Sequence, residues 1–252
     1  MNKIFACLPC YNESENIVQL ITEWLGQGDA LAELGYELTV VAIDDRSTDD
    51  TFDKMMSMKK QYPDKITVLR HKKNLNLGGG VTTAFTVFNR RCGRGDLCVL
   101  MDGDNTHDPA YIIPMINKLK SGADCVIASR YCNGSEVVGV PSYRRFLSDG
   151  AGVYYSMMLR VPNVRDYTCG YRVYTYDIID KAFERYGRKF VEKKTFACMM
   201  EVLYKLYRAG ARFGEVPFTL RYDQKQGTSK MRVLKTIKDS LLTALSLRLT
   251  IK

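Results

Sequence analysis

The sequence predicts an α/β fold in which helices cover both faces of a mostly parallel sheet. Short β-rich runs alternate with amphipathic helical stretches up to residue 131, and the strand cores are continuously apolar. This pattern is typical of strands that are buried on both faces of a parallel sheet. With 252 residues, 46% of them apolar, the chain can bury a sizeable core. A single domain is favoured, because no repeat, low-complexity tract or flexible linker interrupts the sequence.

The first half of the chain contains five predicted strands separated by helices. The strands are expected at 3–10, 37–45, 65–71, 96–102 and 124–131. The helices are expected at 14–25, 49–61, 81–91 and 109–120, from apolar residues at 3–4 spacing and from Asp and Pro at helix starts. The Gly-rich sequence NLGGG (76–80) predicts a turn before the third helix.

The regular alternation of predicted strands and helices ends after residue 131. Helices are predicted at 142–160, 196–209 and 231–249, a turn or hairpin at 167–176 and a strand at 212–222. In the last helix five apolar residues recur at 3–4 spacing, with three bases off their line: Leu234, Ile237, Leu241, Leu245 and Leu249, with Arg232, Lys235 and Lys238. Such a helix can lie on an anionic membrane interface or pack against a core. The sequence leaves both interpretations open.

The net charge of +9 is distributed unevenly along the chain. Residues 1–60 hold 11 acidic and 5 basic residues, whereas residues 205–252 hold 11 basic and 3 acidic ones. This asymmetry indicates a metal-binding or active-site half followed by a segment that faces phosphates or a membrane, although solvated helices are an alternative. There is no signal-peptide pattern and no apolar stretch of the roughly 20 residues that span a bilayer. A cytoplasmic protein is therefore expected.

Among eight cysteines, Cys7 and Cys10 form the only CxxC pair. A structural zinc site usually takes its four ligands from two close pairs, and a redox CxxC normally caps a helix. Cys7 instead falls inside an apolar run, which predicts buried and inert thiols.

Polar clusters follow four of the predicted strands, in PCYNESE, DDRSTDD, DGDNTHD and SRYCNG. Ligands of open α/β sheets bind beyond the carboxyl ends of the strands. Asp102 and Asp104 are one glycine apart and repel each other when ionised, so they favour a bound cation. Hard oxygen ligands favour Mg²⁺ or Mn²⁺ shared with substrate phosphates. An Asx-turn that caps the next helix accounts for Asp108 but not for these two carboxylates.

The motifs LPCYNESENIVQLI, VVAIDDRSTDDT, MDGDNTHDP and ASRY resemble, in order and spacing, family 2 glycosyltransferases of the GT-A fold. RDYTCGYRVY and GEVPFTLRYDQKQGTSKMR resemble the second half of the polyprenyl-phosphate branch, typified by dolichol-phosphate mannose synthase. The resemblance covers roughly residues 3–238. It implies inverting, metal-dependent transfer of a hexose from a GDP-mannose or UDP-glucose type donor to polyprenyl or dolichyl phosphate.

The resemblance also implies an organisation and a location. A catalytic domain is expected over residues 1–230, followed by a basic amphipathic helix over residues 231–252. Peripheral contact with the cytoplasmic membrane face, or a membrane-protein partner, is expected as well.

Roles for individual residues follow from the matching motifs. The nucleotide is expected to contact the following residues: Pro9, Tyr11, Asn12, Glu13, Asp44 and Asp45. Asp102 and Asp104 match the carboxylates that hold Mg²⁺ or Mn²⁺ on the diphosphate, so that Asp104 is also expected to be catalytic. The reacting phosphates are expected to contact three cations: Arg130, Arg221 and Lys230. The branch often carries Gln at about the position of Thr106, so a third metal ligand is not assigned.

Three alternatives remain at this stage. A hydroxyl acceptor would need a carboxylate base, for which Asp166 and Glu201 are available, whereas a lipid monophosphate with a second pKa of about 6 is already a nucleophile. A basic membrane- or nucleic-acid-binding module is disfavoured, because the acids at the strand ends would repel phosphate. A nucleic-acid partner is accordingly not expected. A redox protein built on Cys7 and Cys10 is the least favoured.

Overall fold

The computed structural model describes residues 1–224 and 233–251, without the side chains of 144–146, 224 and 233–238. Its strands are β1 (Asn2–Cys10), β2 (Tyr36–Asp44), β3 (Ile66–Arg70), β4 (Leu97–Leu100), β5 (Cys125–Ser129), β6 (Glu136–Val138), β7 (Arg172–Thr175), β8 (Phe213–Pro217) and β9 (Thr219–Arg221). Its helices are α1 (Ile17–Leu25), α2 (Gly28–Glu33), α3 (Thr51–Gln61), α4 (Asn76–Arg91), α5 (Ile112–Lys120), α6 (Ser142–Leu159), α7 (Tyr176–Tyr186), α8 (Ala197–Arg208) and α9 (Val233–Thr250). Single 3₁₀ turns lie at Pro109–Tyr111, Gly187–Lys189 and Tyr222–Gln224.

The main sheet has seven strands in the order β3-β2-β1-β4-β7-β5-β8. All of its strand pairs are parallel except those of β7, which lies antiparallel between β4 and β5. A separate parallel pair joins β6 to β9. The predicted fold class, a mostly parallel sheet covered by helices, is confirmed.

Apolar residues at helical spacing attach α1 to the sheet, as predicted. Its Ile17, Leu20, Ile21 and Trp24 are fully buried. The indole of Trp24 meets the ring of Tyr171 edge-on, with centroids 6.3 Å apart. Burial of these side chains against the sheet, rather than helix propensity alone, stabilises a helix this short.

The turn predicted for NLGGG is wrong, because these residues form the first turns of α4. A Cβ atom at Gly78 would lie 2.0 Å from the carbonyl oxygen of Lys193, and one at Gly80 would lie 2.7 Å from the Cβ of Pro9. The Gly78 amide also donates to the Lys194 carbonyl. Close tertiary packing therefore requires glycine here and outweighs its low helix propensity.

Two other segments differ from the predictions. Residues 167–176 do not form a hairpin, because β7 inserts between β4 and β5 and pairs with both. The predicted strand at 212–222 is interrupted at Phe218, which separates β8 from β9. The sequence pattern also did not reveal α2, β6 or α7, of which β6 is only three residues long.

Helix α9 packs against α6 and α8. Its Ala244 and Leu247 are buried, whereas Leu245 and Leu249 of the predicted stripe are 41% and 69% exposed. Ala244 and Leu247 lie outside the predicted stripe, and of the stripe's described side chains only Leu241 packs, partly buried, against the core. The buried face of α9 is therefore not the face that the stripe predicted. The side chains of Leu234 and Ile237 lie outside the described residues.

Within the described residues, no helix combines the length and apolar character that crossing a membrane requires. All eight cysteines are free thiols, and Cys7 and Cys10 are buried. The prediction of buried, unpaired thiols at the CxxC sequence is confirmed.

Candidate active site

The polar clusters of the sequence meet at one edge of the sheet. Strands β1, β2 and β4 are adjacent and parallel, so their carboxyl ends lie side by side. Strand β5 points the same way, because both β4 and β5 run antiparallel to β7. The turn before β7 and the end of β8 lie at this edge too. The candidate site is therefore the carboxyl edge of the sheet, as predicted.

Asn12 joins the loop after β1 to the loop after β2. It adopts a left-handed conformation with φ of 55°, which Asn tolerates better than most residues. The Asn12 amide donates to Ser47 Oγ at 2.9 Å, and its Oδ1 accepts from the Thr48 amide at 2.8 Å. The Glu13 amide donates to Thr51 Oγ1 at 2.8 Å. These bonds fix the shape of the edge where the nucleotide is expected.

The remaining predicted nucleotide residues of the first loop flank the end of β1. Pro9 packs against Gly80 of α4, and Tyr11 is 38% exposed. The structure therefore places both at the predicted edge.

Asp44 and Asp45 hold the chain around them. Asp44 is fully buried; its Oδ1 accepts from the Ser47 amide at 3.0 Å, and Arg70 Nε lies 2.9 Å from its Oδ2. Asp45 Oδ1 lies 2.7 Å from His71 Nδ1 and accepts from the Leu75 amide at 2.7 Å. Both carboxylates thus have structural partners, and their contact with a nucleotide stays a prediction.

Asp102 and Asp104 lie on a tightly packed turn. A Cβ atom at Gly103 would lie 2.5 Å from Cys10 Sγ, and one at Gly170 would lie 2.7 Å from each Asp102 carboxylate oxygen. Glycine at 103 and 170 therefore lets the turn rest on the Cys10 sulfur and lets the Asp102 carboxylate rest on the backbone before β7.

The sulfur of Cys10 lies close to several acids. Burial raises the pKa of this thiol well above its usual value, and Glu13, Asp44, Asp104 and Asp102 add to the effect. Cys10 is thus a neutral thiol beneath the Asp102–Asp104 turn.

The donor set of this turn fits a hard divalent cation. Asp102 and Asp104 offer carboxylate oxygens, the ligands that Mg²⁺ and Mn²⁺ prefer. Across the described residues, this turn included, no group of three His, Cys, Asp or Glu side chains could hold a metal ion, so the turn offers two carboxylates and no third protein ligand of these types. A cation at this turn would therefore complete its coordination with substrate oxygens and water, as Mg²⁺ commonly does.

Arg130 is held by Asp166. Its Nε and Nη2 donate to the two carboxylate oxygens at 2.8 and 2.7 Å, and Nη2 also donates to Thr168 Oγ1 at 2.6 Å. Burial would raise the pKa of Asp166, but the charge and hydrogen bonds of Arg130 outweigh it and lower the pKa to about 2. Arg130 lies at the predicted edge, with its guanidinium fixed by this pair.

Arg221 reaches the Asp102–Asp104 turn through its backbone. Its amide donates to the Thr106 carbonyl at 3.1 Å. Its guanidinium binds Asp223 through Nε and Nη2 at 3.0 and 2.8 Å. Hydrogen bonding to Asp223 raises the pKa of Arg221, and the same bonds lower the pKa of Asp223. Lys230, the third predicted cation, lies outside the described residues.

The two carboxylates considered as bases for a hydroxyl acceptor are both engaged. Asp166 pairs with Arg130. Glu201 is buried; its Oε1 accepts from Lys205 Nζ at 2.8 Å, and its Oε2 accepts from the amides of Glu192 and Lys193 at 2.9 and 2.8 Å. These contacts give both carboxylates a structural role.

Sequence reasoning did not find the polar contacts of His107 and Cys169. His107 Nε2 lies 3.6 Å from Cys169 Sγ, and Thr106 Oγ1 donates to Asp104 Oδ1 at 2.7 Å. His107 is one of two histidines, and it follows Asp104 by three residues. The position of His107 close to Asp104 was the sequence signal that could have identified it as part of the site. Its contact with Cys169 joins residues 62 positions apart, which no local pattern indicates.

The family model described as Glycosyl transferase family 2 matches residues 5–183. A dolichol-phosphate mannosyltransferase of Pyrococcus furiosus is 31% identical over 231 residues, which are 91% of this chain and 59% of that protein. An undecaprenyl-phosphate mannosyltransferase of Micrococcus luteus is 30% identical over 91% of this chain and 87% of its own length. A polyprenol monophosphomannose synthase of Mycolicibacterium smegmatis is 27% identical over 89% of this chain and 79% of its own length.

Solved structures match the fold. Glucosyl-3-phosphoglycerate synthase of Mycobacterium tuberculosis, in complex with Mn²⁺, uridine diphosphate and phosphoglyceric acid, has a TM-score of 0.68 at 16% identity. The match covers 98% of this chain and 78% of that one. From the family match and the sequence relatives, the chain belongs to glycosyl transferase family 2.

Proposed function

We propose that this protein is an inverting, metal-dependent glycosyltransferase that moves a hexose from a nucleotide sugar to a polyprenyl or dolichyl phosphate. The observation that carries this proposal is the similarity, over about nine tenths of the chain, to three proteins named as polyprenyl-phosphate mannosyltransferases or synthases. The chain spans 59% of the length of the first of these relatives, so its activity, substrates and partners are proposals. Their names favour mannose, and donors of both the GDP-mannose and UDP-glucose type stay within the proposal.

The chemistry of the acceptor agrees with the side chains at the site. A phosphate monoester oxygen attacks the anomeric carbon, the bond from that carbon to the diphosphate breaks, and its electron pair leaves with the nucleoside diphosphate. Because the second pKa of a phosphate monoester is about 6, the nucleophile needs no base at neutral pH. This agrees with Asp166 and Glu201 being engaged by cations and amides.

The main barrier to this reaction is repulsion between two phosphate groups. In the proposal Arg130, Arg221 and Lys230 offset that charge, since a guanidinium can bind two phosphate oxygens at once. Asp102 and Asp104 hold Mg²⁺ or Mn²⁺, which stabilises the leaving diphosphate as a Lewis acid when bound. The nucleoside is bound at the ends of β1 and β2, by Pro9, Tyr11, Asn12, Glu13, Asp44 and Asp45.

The proposed acceptor requires access to a membrane. Exposed apolar side chains lie on the packed pair α6 and α9: Val153, Met157, Leu242, Leu245 and Leu249. Helix α9 carries three bases, Lys235, Lys238 and Arg248, against one acid, Asp239. Apolar and basic residues together suit an anionic lipid surface. Peripheral contact with the cytoplasmic membrane face, and a division into residues 1–230 and 231–252, are therefore part of the proposal.

Calorimetry with nucleoside diphosphates tests the donor half of this proposal. GDP and UDP are titrated into the protein with and without Mn²⁺. Binding of one nucleotide that strengthens with Mn²⁺ is the expected result, and it selects the donor class. Absence of binding by both nucleotides in the presence of Mn²⁺ would contradict a nucleotide-sugar donor and favour a phosphate- or membrane-binding module.

A further inference from the structure

Four side chains form a series of contacts from the turn before β7 to Asp104. Cys169 Sγ lies 3.6 Å from His107 Nε2, His107 Nδ1 lies 3.1 Å from Thr106 Oγ1, and Thr106 Oγ1 lies 2.7 Å from Asp104 Oδ1. We name Cys169, His107, Thr106 and Asp104 the relay. Three of its members, Cys169, His107 and Thr106, are no more than 5% exposed.

For an ionised Asp104 and a neutral His107, donor and acceptor chemistry fixes the direction of every bond in the relay. An ionised Asp104 only accepts, so the Thr106 hydroxyl donates to it. In its contact with His107, the Thr106 oxygen is then the acceptor of the hydrogen bond and His107 Nδ1–H is the donor. In a neutral imidazole Nε2 is then without a proton and accepts from the Cys169 thiol. Burial, with a contribution from Asp166, raises the pKa of Cys169 to about 12, so its thiol keeps that proton at neutral pH.

Packing holds the imidazole in this orientation. The ring of His107 stacks on Phe218 with centroids 5.2 Å apart and meets Tyr171 edge-on at 5.9 Å. At the far end of the relay, the Cys169 amide donates to Asp166 Oδ1 at 3.0 Å, which is the oxygen that receives Arg130 Nη2 at 2.7 Å. The relay thus connects the carboxylate pair of the turn to the partner of Arg130.

We propose that His107 is a positioning residue that orients the Asp104 carboxylate for a divalent cation by donating to the Thr106 hydroxyl. This inference rests on the proposed function, because it takes Asp104 to be a cation ligand. In this inference the Thr106 hydroxyl also orients the Asp104 carboxylate, to which it donates. Groups that hydrogen-bond to metal ligands commonly change metal affinity by about 10- to 100-fold when they are replaced.

The first test requires neither metal nor substrate. Nitrogen-15 NMR of the two imidazoles distinguishes the tautomers, and a His71→Asn variant assigns the signals. The expected result at neutral pH is a His107 ring with its proton on Nδ1. A proton on Nε2, or on both nitrogens, would overturn the direction of the relay. This outcome does not depend on whether the protein transfers a sugar.

The second test measures Mn²⁺ affinity by electron paramagnetic resonance, without a donor and again with the nucleoside diphosphate that binds. His107→Asn keeps an amide donor close to the position of Nδ1 and is expected to retain most of the affinity. His107→Phe keeps the stacking but loses the donor and is expected to bind Mn²⁺ about 10-fold or more weakly. Thr106→Val is expected to match it, with Thr106→Ser as the control that keeps a hydroxyl.

The melting temperature of each variant separates positioning from a loss of stability. Wild-type Mn²⁺ affinity in folded His107→Phe and Thr106→Val would overturn the inference even if the protein is an active transferase. Equal loss in His107→Asn and His107→Phe would overturn it as well. If the wild-type protein itself binds no Mn²⁺, both the inference and the metal-dependent function fail, whereas the NMR result still reports the relay.

Discussion

The acidic and the basic side chains of the site are held in different ways. Asp44 and Asp45 both accept from backbone amides of the segments that follow them, in addition to their contacts with Arg70 and His71. Arg130 and Arg221 instead pair with carboxylates from the second half of the chain, Asp166 and Asp223. The acids at the end of β2 thus hold the backbone of the loops that follow, while each arginine is held through a carboxylate side chain.

The two arginine pairs also differ from each other in burial. Asp166 is fully buried and Arg130 is 20% exposed, whereas the side chains of Arg221 and Asp223 are 44% and 37% exposed. A buried pair is fixed because either partner alone would be a desolvated charge, whereas an exposed pair exchanges partners easily. In the proposed reaction a substrate phosphate can therefore replace Asp223 on Arg221, while Arg130 keeps Asp166.

Asp166→Asn is expected to have the largest effect, because it leaves the charge of Arg130 buried without a carboxylate. Breaking a buried ion pair costs about 3–5 kcal/mol in the free energy of unfolding. Asp223→Asn is the matched control in the exposed pair, and its stability should equal that of the wild type. Urea unfolding of both variants checks the contrast. Equal stability of Asp166→Asn and the wild type would contradict the expectation that the Arg130 charge depends on the Asp166 carboxylate.

Asp104→Ala is expected to reduce sugar transfer by at least about 100-fold, because in the proposed function Asp104 is a ligand of the cation that stabilises the leaving diphosphate. Asp108→Ala is the control on the same loop, where Asp108 caps the 3₁₀ turn by accepting from the Ala110 amide at 2.8 Å. Steady-state rates at saturating Mn²⁺ provide the measurement. Similar rates for Asp104→Ala and Asp108→Ala would show that sugar transfer does not require the Asp104 carboxylate.

The Arg130–Asp166 pair also predicts an acid dependence of stability. The pKa of Asp166 in the folded protein is about 2, below its usual 3.8, so the contribution to stability is fully present above pH 4. It decreases as pH falls from about 4 to 2, by about 2 kcal/mol in total. Unfolding free energies of the wild type and Asp166→Asn should therefore approach each other over this range. A constant difference down to pH 2 would contradict the lowered pKa.

Gly170→Ala is expected to displace the Asp102 carboxylate, because the new Cβ would lie 2.7 Å from both of its oxygens. The carboxylate must then move, and we expect Mn²⁺ to bind about 10-fold more weakly. Gly150→Ala in α6 is the control, since nothing lies within 4 Å of its Cβ position. Metal titration of both variants gives the answer, and unchanged affinity in Gly170→Ala would mean that Asp102 is not a ligand.

Leu242→Glu is expected to have the smallest effect, because the side chain is 57% exposed and would insert only partly into a lipid surface. Binding to anionic vesicles should weaken about 3- to 5-fold, as expected for about 1 kcal/mol of lost apolar burial. Met56→Glu on α3, where Met56 is 42% exposed, is the control. Co-sedimentation with anionic and neutral vesicles measures both. Equal weakening of the two variants would refute contact through α9.

The sequence allowed us to predict that the site lies at the carboxyl edge of the sheet and which side chains lie there, because strand ends and short motifs are local features. Asp104 and Arg130 lie where strand alternation places them. The relay was not predictable, since Cys169 reaches His107 only after β7 inserts antiparallel between β4 and β5. NLGGG was mistaken for a turn for a similar reason, because the backbone that Gly78 contacts belongs to Lys193. Contacts between distant segments decided both cases.

A comparison of two acceptors tests whether the protein transfers sugar to a phosphate. Transfer of labelled hexose from the donor that binds is measured with a polyprenyl phosphate and with the matching polyprenol, at equal concentrations and with Mn²⁺ present. Product is expected with the phosphate and none above background with the alcohol, because in the proposed function cations offset the charge of a phosphate nucleophile, while Asp166 and Glu201 are engaged. Equal or faster transfer to the alcohol would contradict this expectation and establish a hydroxyl acceptor.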